Sequence, residues 1–271
     1  MNSPISSPDT RQEEFLKKHR RNHRVICIWR FFLLVLFLGI WELCAQKGVI
    51  DSFFFSSPSM VFTLFLDKMK DGTLLHHIAV TIYETMISFL LVFLLSLICA
   101  TLLWFSSGIS SVLEPWLVVL NSLPKSALAP LFIVWLGTGQ KTIIIAGISV
   151  AIFGSIISFY SGFQNCDPEK ITMIYTLGGT RRDVFQRIVL PSSIPVLLST
   201  TKVNIGLALV GVIIGEFLAA KQGLGYLIIY GSQVFQLNLV IMSIVILCII
   251  AMVLYKSIQL IEHSIKKKMG I

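Results

Sequence analysis

Long apolar segments, separated by shorter polar ones, dominate the pattern of this chain. Six of them are long enough for a helix that crosses a bilayer, which takes about 20 residues. They cover residues 25–45, 78–105, 112–136, 142–162, 194–220 and 239–260. The pattern predicts an all-α membrane protein with six transmembrane helices in one domain, residues 25–265, between a polar, basic tail, residues 1–24, and a short tail, residues 266–271.

Some segments differ from a simple row of spans. The first follows basic residues, as a signal peptide does, but Trp41-Glu42-Leu43-Cys44 offers no A-x-A cleavage site, so an uncleaved span is predicted. Residues 121–126 interrupt the third segment, and such a break is tolerated only where protein or a cavity covers the backbone. Ser57-Pro58-Ser59 predicts the start of a short interfacial helix. Another short amphipathic helix is expected to follow Gly223 and to reach about residue 235.

Composition and charge agree with a membrane protein. Of the 271 residues, 55% are hydrophobic and 13% are charged, whereas soluble domains carry roughly 25% charged residues. The net charge of +8 does not indicate nucleic acid as a partner, because the basic residues are unevenly placed. Fifteen lysines and arginines fall in the segments on one side of the predicted spans and five on the other. The richer side is predicted to be cytoplasmic, with both termini there.

The predicted cytoplasmic side includes one structured loop, residues 165–192. Gly178 and Gly179 are expected to adopt positive φ and to end a first short helix. Thr180, with Asp183 three residues later, predicts the capping box of a second helix. An apolar stripe on that second helix comprises Val184, Phe185, Ile188 and Val189. Pro191 and Pro195 are expected to end it before the fifth span. Cys166, at the start of the loop, is also predicted to be cytoplasmic.

The loop resembles the cytoplasmic signature of the permease subunits of binding-protein-dependent ABC importers. That signature is Glu-Ala-Ala, three residues, Gly, nine residues, Ile, one residue and Leu-Pro. Its later positions are matched by Gly178, Ile188, Leu190 and Pro191, whereas residues 172–174 are Thr-Met-Ile. Residues 124–137 resemble the third span of the nitrate, sulfonate and taurine branch. Glu216 with Gly223-Leu224-Gly225 resembles that branch too.

The resemblance implies a type I importer permease fold that moves a solute by alternating access in the bacterial cytoplasmic membrane. The chain has no Gly-rich nucleotide-binding sequence, so a separate ABC ATPase dimer would use ATP and Mg²⁺. No cofactor is expected on this chain. The other implied partners are an extracellular or periplasmic solute-binding protein and a second permease copy, as a homodimer. The implied ATPase-coupling residues are Thr172, Leu177, Gly178, Gly179, Arg181, Phe185, Ile188, Leu190 and Pro191.

Polar residues within the spans are candidates for the solute path, because polar groups are costly in lipid. Lys202, for example, falls about 12 Å into the fifth span by helix rise. The candidates are Asn121, Lys125, Lys202, Asn204 and Glu216. They predict either a cationic or hydrogen-bonding path for a polar or anionic solute, or bonds that stabilise helix breaks and the dimer. Glu84 and Glu114 are expected near the interfaces. Sulfonates, taurine, nitrate and vitamin precursors are the solute classes that the resemblance implies.

Two other classes of membrane protein fit the sequence less well. A membrane-embedded enzyme needs facing ionisable residues at matched depth, and the sequence offers no such constellation and no Gly-x-Ser-x-Gly. An ATP-independent carrier usually has internal repeats, and none is evident. The adjacent His76 and His77 have no companion carboxylates or cysteines, and no CxxC pair occurs, so neither a metal site nor a catalytic site is predicted.

Overall fold

The computed structural model describes residues 25, 26, 28, 29, 32, 33, 35–51 and 55–269, which contain helices and connecting segments but no strand. The predicted tail at residues 1–24 and the last two residues lie outside this description, and the first predicted span lies partly outside it. The chain divides into two compact units, residues 1–63 and 64–271. Each unit is described on its own.

The first unit contains an apolar helix, α1 (Val35–Gln46), and the start of α2 (Pro58–Lys70). The Ser57 hydroxyl accepts a hydrogen bond from the Met60 N–H, so the predicted serine cap before Pro58 is confirmed. The Glu42 carboxylate accepts hydrogen bonds from the backbone N–H and the hydroxyl of Ser59, at 3.0 and 2.9 Å. This carboxylate therefore ties the end of α1 to the start of α2.

The second unit contains the long apolar helices. Four of them are long and apolar enough to cross a membrane. In chain order they are α3 (Thr73–Phe105), α6 (Gln140–Gln164), a continuous helical run over Arg181–Ala219, and α11 (Leu237–Met269). A fifth candidate is the pair α4 (Ser107–Ser122) and α5 (Lys125–Leu136), which are bent by 96° at their junction. The described residues thus form an all-helical membrane protein with four or five candidate spans.

The bend between α4 and α5 lies where the sequence predicts an interruption. Lys125 stabilises it: the ammonium donates a hydrogen bond to the Leu120 carbonyl at the end of α4 and lies 5.1 Å from the ring centroid of Phe153 on α6. The last carbonyls of a helix have no partner within it and carry partial negative charge, so a lysine is favourable there. In this structure the charge of Lys125 therefore stabilises the end of α4 at the helix break.

Helix α6 packs against both α3 and the long helix α9 (Leu190–Ala219), and these three helices form the centre of the unit. Small residues permit the close approach of α6 and α9: a Cβ atom on Gly211 would lie 2.8 Å from the Ala146 carbonyl oxygen and from the Cα of Gly147. Close packing over small residues is the main source of association between helices in lipid. The hydroxyl of Ser88 on α3 donates to the carbonyl of Ile144 on α6 and adds a polar bond.

Two helix ends differ from the prediction. Pro191 and Pro195 do not end the helix of the loop, because a π segment over Phe185–Val189 joins α8 (Arg181–Val184) to α9. A proline lacks the N–H and crowds the carbonyl four residues earlier. The π segment shifts the bonding, so that the Leu190 N–H donates to the Phe185 carbonyl and the helix continues. Helix α11 runs to Met269, well past the predicted end of the last span at residue 260.

Candidate ATPase-docking loop and intramembrane polar sites

The loop at residues 165–192 is a helix–turn–helix, as predicted. Its first helix, α7 (Pro168–Thr176), begins at Asp167, whose carboxylate accepts a hydrogen bond from the Glu169 N–H at 2.9 Å. Gly178 has φ of +80° and ends the helix, with its N–H donating to the Tyr175 carbonyl. The prediction of positive φ is confirmed at Gly178 but is wrong at Gly179. At that position a Cβ atom would lie 2.5 Å from the Ile174 side chain, so close packing is what excludes a larger residue.

The second helix of the loop is anchored to the core. The predicted capping box is confirmed: the Thr180 hydroxyl accepts from the Asp183 N–H, and the Asp183 carboxylate accepts from the Thr180 N–H at 2.9 Å. The apolar stripe is mostly buried, with Phe185 in ring contact with Phe163 on α6 and with Trp104 at the end of α3. The second helix of the loop is therefore packed against the ends of α3 and α6.

Arg181 reinforces this anchor. Its guanidinium donates a hydrogen bond to the Trp104 carbonyl at 2.7 Å and lies 5.2 Å from the centroid of the Trp104 ring. A helix C-terminus and an aromatic face both attract a guanidinium. Of the predicted coupling residues, Arg181 and Phe185 thus bind within the chain.

The first helix presents apolar side chains to the surface. Leu177 is 75% exposed, and Met173 and Tyr175 are also exposed. Thr172 and Gly178 lie on the same exposed segment, whereas Gly179, Ile188, Leu190 and Pro191 are half-buried. The sequence reasoning missed Met173 and Tyr175, although Met173 and Leu177 have the four-residue spacing that places two side chains on one helix face. We call the exposed side of this segment, which carries Met173, Leu177 and, on an adjoining part of the helix surface, Tyr175, the apolar face of the loop.

The candidate Lys202 is held in an ion pair. Its ammonium lies 2.7 Å from a carboxylate oxygen of Glu262 on α11, and Lys266 lies 2.8 Å from the other oxygen. Glu262 lies two residues beyond the predicted end of the sixth span, so Lys202 pairs with a residue that the sequence places outside that span. Lys266 is part of α11 and not of a free tail.

We expect Lys202→Met to lower the thermal unfolding temperature, because it leaves Glu262, which is 6% exposed, with one cation instead of two. The double variant Lys202→Met with Glu262→Gln should recover much of the loss, since the buried carboxylate is then removed and the charge that remains, on Lys266, has a side chain that is 37% exposed to solvent. Thermal unfolding of the detergent-solubilised chain measures both. A double variant less stable than Lys202→Met would contradict the pairing.

Glu216 joins three elements near the end of α9. Its carboxylate accepts a hydrogen bond from the Thr81 hydroxyl on α3 at 2.7 Å and another from the Gly225 N–H at 2.5 Å, in the first turn of α10 (Leu224–Gln233). The Thr81 hydroxyl in turn accepts from the Leu224 N–H at 2.8 Å. An acid at a helix N-terminus satisfies free N–H groups and complements the helix dipole. Glu216 therefore fixes α10 to α3 and α9.

The glycine at position 223 makes room for this carboxylate. It has φ of +106°, and a Cβ atom there would lie 2.3 Å from Glu216 Oε1. Gly223→Ala should therefore destabilise the chain by about 2–4 kcal/mol, from backbone strain and from overpacking together. Gly139→Ala is the matched control, since φ is +130° but nothing lies within 4 Å of its Cβ position. It should cost only about 1 kcal/mol. Equal losses of unfolding temperature would contradict the role of Glu216.

The other polar candidates are separated in the structure. Asn121 is exposed at the end of α4. Asn204 is buried on α9, and its side-chain amide nitrogen has no hydrogen-bond partner. The five candidates do not meet in one continuous path within the described chain: Lys125 lies at a helix break, Lys202 in an ion pair and Glu216 at the start of α10.

Glu84, which the sequence predicts near a membrane interface, is buried inside the protein. It is 1% exposed, and its carboxyl lies within hydrogen-bonding reach of the Glu216 carboxyl. A signal was available, because Thr81, Glu84, Thr85 and Ser88 recur at three- and four-residue spacing on α3, and a polar stripe on a membrane helix faces protein. No cluster of three or more potential metal-binding side chains occurs among the described residues.

Comparison with known proteins identifies the family. Residues 92–269 match the family model of the binding-protein-dependent transport system inner membrane component. The "Probable ABC transporter permease protein" of Haemophilus influenzae is 31% identical over 226 residues, which cover 83% of this chain and 91% of that protein. The formylaminopyrimidine transport permease ThiX of Halalkalibacterium halodurans is 26% identical, with coverage of 76% and 81%. The taurine transport system permease TauC of Escherichia coli is 23% identical, with 86% of each chain covered.

A solved structure shows the same fold. A chain of the MetNI methionine ABC transporter, in an inward-facing conformation, superposes with a TM-score of 0.62 at 18% identity. The match covers 73% of this chain and 96% of that one. The family match, the identity to a permease and the membrane fold agree with one another. The chain belongs to the family of binding-protein-dependent ABC transporter permeases, whose members are multi-pass inner membrane proteins and the non-catalytic membrane components of systems with ATPase and binding-protein partners.

Proposed function

We propose that this chain is one of two identical six-span permeases that form the pore of a type I ABC importer for a small polar solute. An ATPase dimer binds the loop at residues 165–192 from the cytoplasm, and a solute-binding protein delivers the solute from outside. ATP and Mg²⁺ act on the ATPase, and this chain binds no cofactor. Its candidate solutes are sulfonates, taurine, nitrate and vitamin precursors, because relatives that are named for different solutes are about equally similar to this chain.

The apolar face of the loop carries the proposal. Met173, Tyr175 and Leu177 are exposed on the first helix of the loop and at its end, and Ile171 and Ile174 of that helix pack against the core cluster that contains Phe185. An exposed apolar cluster next to a polar, charged loop is typical of a protein-binding surface. Because the first helix of the loop packs against this core cluster, a partner that moves the helix would also move α3 and α9. That connection would transmit ATP-driven closure to the pore.

Reconstitution tests the function. Proteoliposomes that contain the permease, its ATPase and internal ATP should accumulate the solute only when the binding protein is added outside. Proteoliposomes without the ATPase are the control for an ATP-independent carrier. Equal accumulation without ATPase or ATP would contradict the proposal.

The orientation can be tested at Leu177. Cys166 is a poor probe despite its predicted cytoplasmic position, because it is buried and its sulfur lies 3.1 Å from the Ser192 hydroxyl. A Leu177→Cys variant without the natural cysteines should react with an impermeant maleimide in inside-out vesicles and not in right-side-out vesicles. Labelling in sealed right-side-out vesicles would reverse the proposed orientation.

A further inference from the structure

A cavity of about 360 Å³ lies at the start of α3, far from the loop at residues 165–192. Helix α3 has 33 residues, so its two ends are about 50 Å apart by helix rise. The loop contacts the other end, where Phe185 meets Trp104. The end of α2, the start of α3, helix α10 and the start of α11 form the walls of the cavity. Its volume falls within the range of small-molecule sites, about 300–1,000 Å³.

Part of the cavity is lined by buried apolar side chains. Leu74 on α3 and Leu239 and Met242 on α11 line it, and they are 1%, 3% and 1% exposed. These side chains belong to the packed interior of the unit, so the cavity reaches below the protein surface. A ligand that fills it therefore needs an apolar part, because the burial of apolar surface is favourable.

Three nearly parallel rings form one wall of the cavity. Tyr226 and Tyr230 lie four residues apart on α10, with ring centroids 5.9 Å apart and an interplanar angle of 24°. The ring of His77 on α3 continues the stack, at 6.1 Å and 22° from that of Tyr226. Aromatic rings bind other flat rings by offset stacking or edge contact. The wall therefore favours a flat ligand.

The cavity offers positive charge and no acid. Lys68, at the end of α2, is half-buried and forms none of the ion pairs found among the described residues. Its neighbours Asp67 and Asp71 are exposed and do not line the cavity. His77 Nδ1 accepts a hydrogen bond from the Gly223 N–H at 3.0 Å, so the proton of the neutral ring lies on Nε2. That N–H has no acceptor within the described chain, so both groups are available to an anion.

The walls are held in place without a ligand. The Glu216 carboxylate accepts hydrogen bonds from Thr81 on α3 and from the Gly225 N–H on α10, which fixes the two helices to each other. The bond from Gly223 to His77 adds a second connection between them. A preformed site costs little ordering on binding.

Other ligand classes fit these walls less well. A cation would meet Lys68 without a carboxylate to balance its charge, and a purely apolar molecule would leave the donors of Lys68 and His77 unpaired. A small inorganic anion would leave the apolar part of the cavity empty. A flat ring that carries a carboxylate satisfies both parts, since a carboxylate forms strong hydrogen bonds with charged donors and the ring contacts the aromatic wall.

We propose that this cavity binds a small aromatic or heteroaromatic carboxylate. The carboxylate pairs with Lys68 and accepts from His77 Nε2–H, and the ring lies against Tyr226 and Tyr230. The site goes beyond the proposed function and does not depend on it, because its lining includes none of the candidate solute-path residues and no coupling residue.

Fluorine NMR of 4-fluorobenzoate tests the site on the purified full-length chain in nanodiscs, without ATPase or binding protein. The fluorine line should broaden beyond its width with empty nanodiscs. Lys68→Gln should weaken binding by about five- to tenfold, because it removes the charge from the strongest hydrogen bond. Lys70→Gln is the matched control, since it removes an exposed lysine of the same helix end that does not line the cavity, and it should bind as the wild type does.

The aromatic wall is tested at Tyr230, whose 42% exposure lets a substitution leave the fold intact. Tyr230→Phe keeps the ring and should retain binding, whereas Tyr230→Leu should weaken it several-fold. Unlabelled benzoate should displace the probe from the wild-type chain. Acetate, benzyl alcohol and benzylammonium at the same concentration should not, because each lacks the ring, the charge or the correct sign of charge.

Several results would overturn the site. Equal broadening with empty nanodiscs would mean that the probe binds lipid only, and equal binding by Lys68→Gln and the wild type would remove the proposed pairing. Displacement by benzyl alcohol would reduce the cavity to an apolar one, and displacement by acetate would exclude the aromatic wall. Stronger displacement by benzylammonium than by benzoate would make the rings a cation site. The displacement series uses the wild-type chain alone, so it decides the question even if a variant fails to fold.

Discussion

A Leu177→Asp variant should lose its ATPase while it keeps its fold. The side chain is 75% exposed and contributes little to the core, so the permease itself should remain as stable as the wild type. In the proposed interface, the loss of a buried leucine costs about 1.5–3 kcal/mol, and an unpaired buried carboxylate costs several kcal/mol more. Because each 1.4 kcal/mol is tenfold in affinity, we expect ATPase binding to weaken by at least about 100-fold.

Co-purification of the ATPase with tagged permease measures this effect. Gln186→Asp is the control, since it adds the same charge at an exposed position of the same loop, outside the apolar face. The control should retain the ATPase. Normal recovery of the ATPase with Leu177→Asp would remove the apolar face from the proposed interface.

Gly178→Asp should uncouple ATP hydrolysis from transport or detach the ATPase. The φ of +80° at this position costs any side chain about 1 kcal/mol. No atom lies within 4 Å of the Cβ position, so the permease itself has room for the substitution. The new carboxylate enters the proposed interface without a partner, which costs several kcal/mol. Because this second cost is the larger one, Gly178→Ala should be much milder than Gly178→Asp.

Uptake and ATPase pull-down should be compared in the two variants at position 178. If Gly178→Ala and Gly178→Asp lost similar fractions of uptake and ATPase binding, the effect would come from the strained turn and not from the interface with the ATPase. Normal transport and normal ATPase binding with Gly178→Asp would exclude this turn from the coupling surface.

The features that could be predicted from the sequence are the ones encoded locally. Apolar length marks the long helices, Pro124 and its polar neighbours mark the break after α4, and the Thr180–Asp183 spacing marks the second helix of the loop. The positive φ of Gly178 could be predicted because a glycine commonly adopts this conformation where a helix ends. Each of these signals lies within a few residues of the structure that it specifies.

The features that could not be predicted depend on pairing between distant helices. Glu262 is 60 residues from Lys202, and only the register of α9 against α11 brings them together. The rotation of α3, which buries Glu84, depends similarly on how it packs against α6. The helix continues past Pro191 because a π segment precedes it. The rule that a proline ends a helix does not foresee such a segment. Apolar length predicts that a helix spans the membrane but does not specify which face it turns to a neighbour.

The most direct test of the proposed ATPase binding at residues 165–192 is a site-specific photo-cross-linker in the assembled complex. Placed at Leu177, it should cross-link to the ATPase, and ATP should change the yield. Placed at Val134 on α5, which is 80% exposed near the opposite turn, it should give no such product. An intact complex in which position 177 does not cross-link to the ATPase, or position 134 does, would contradict the account.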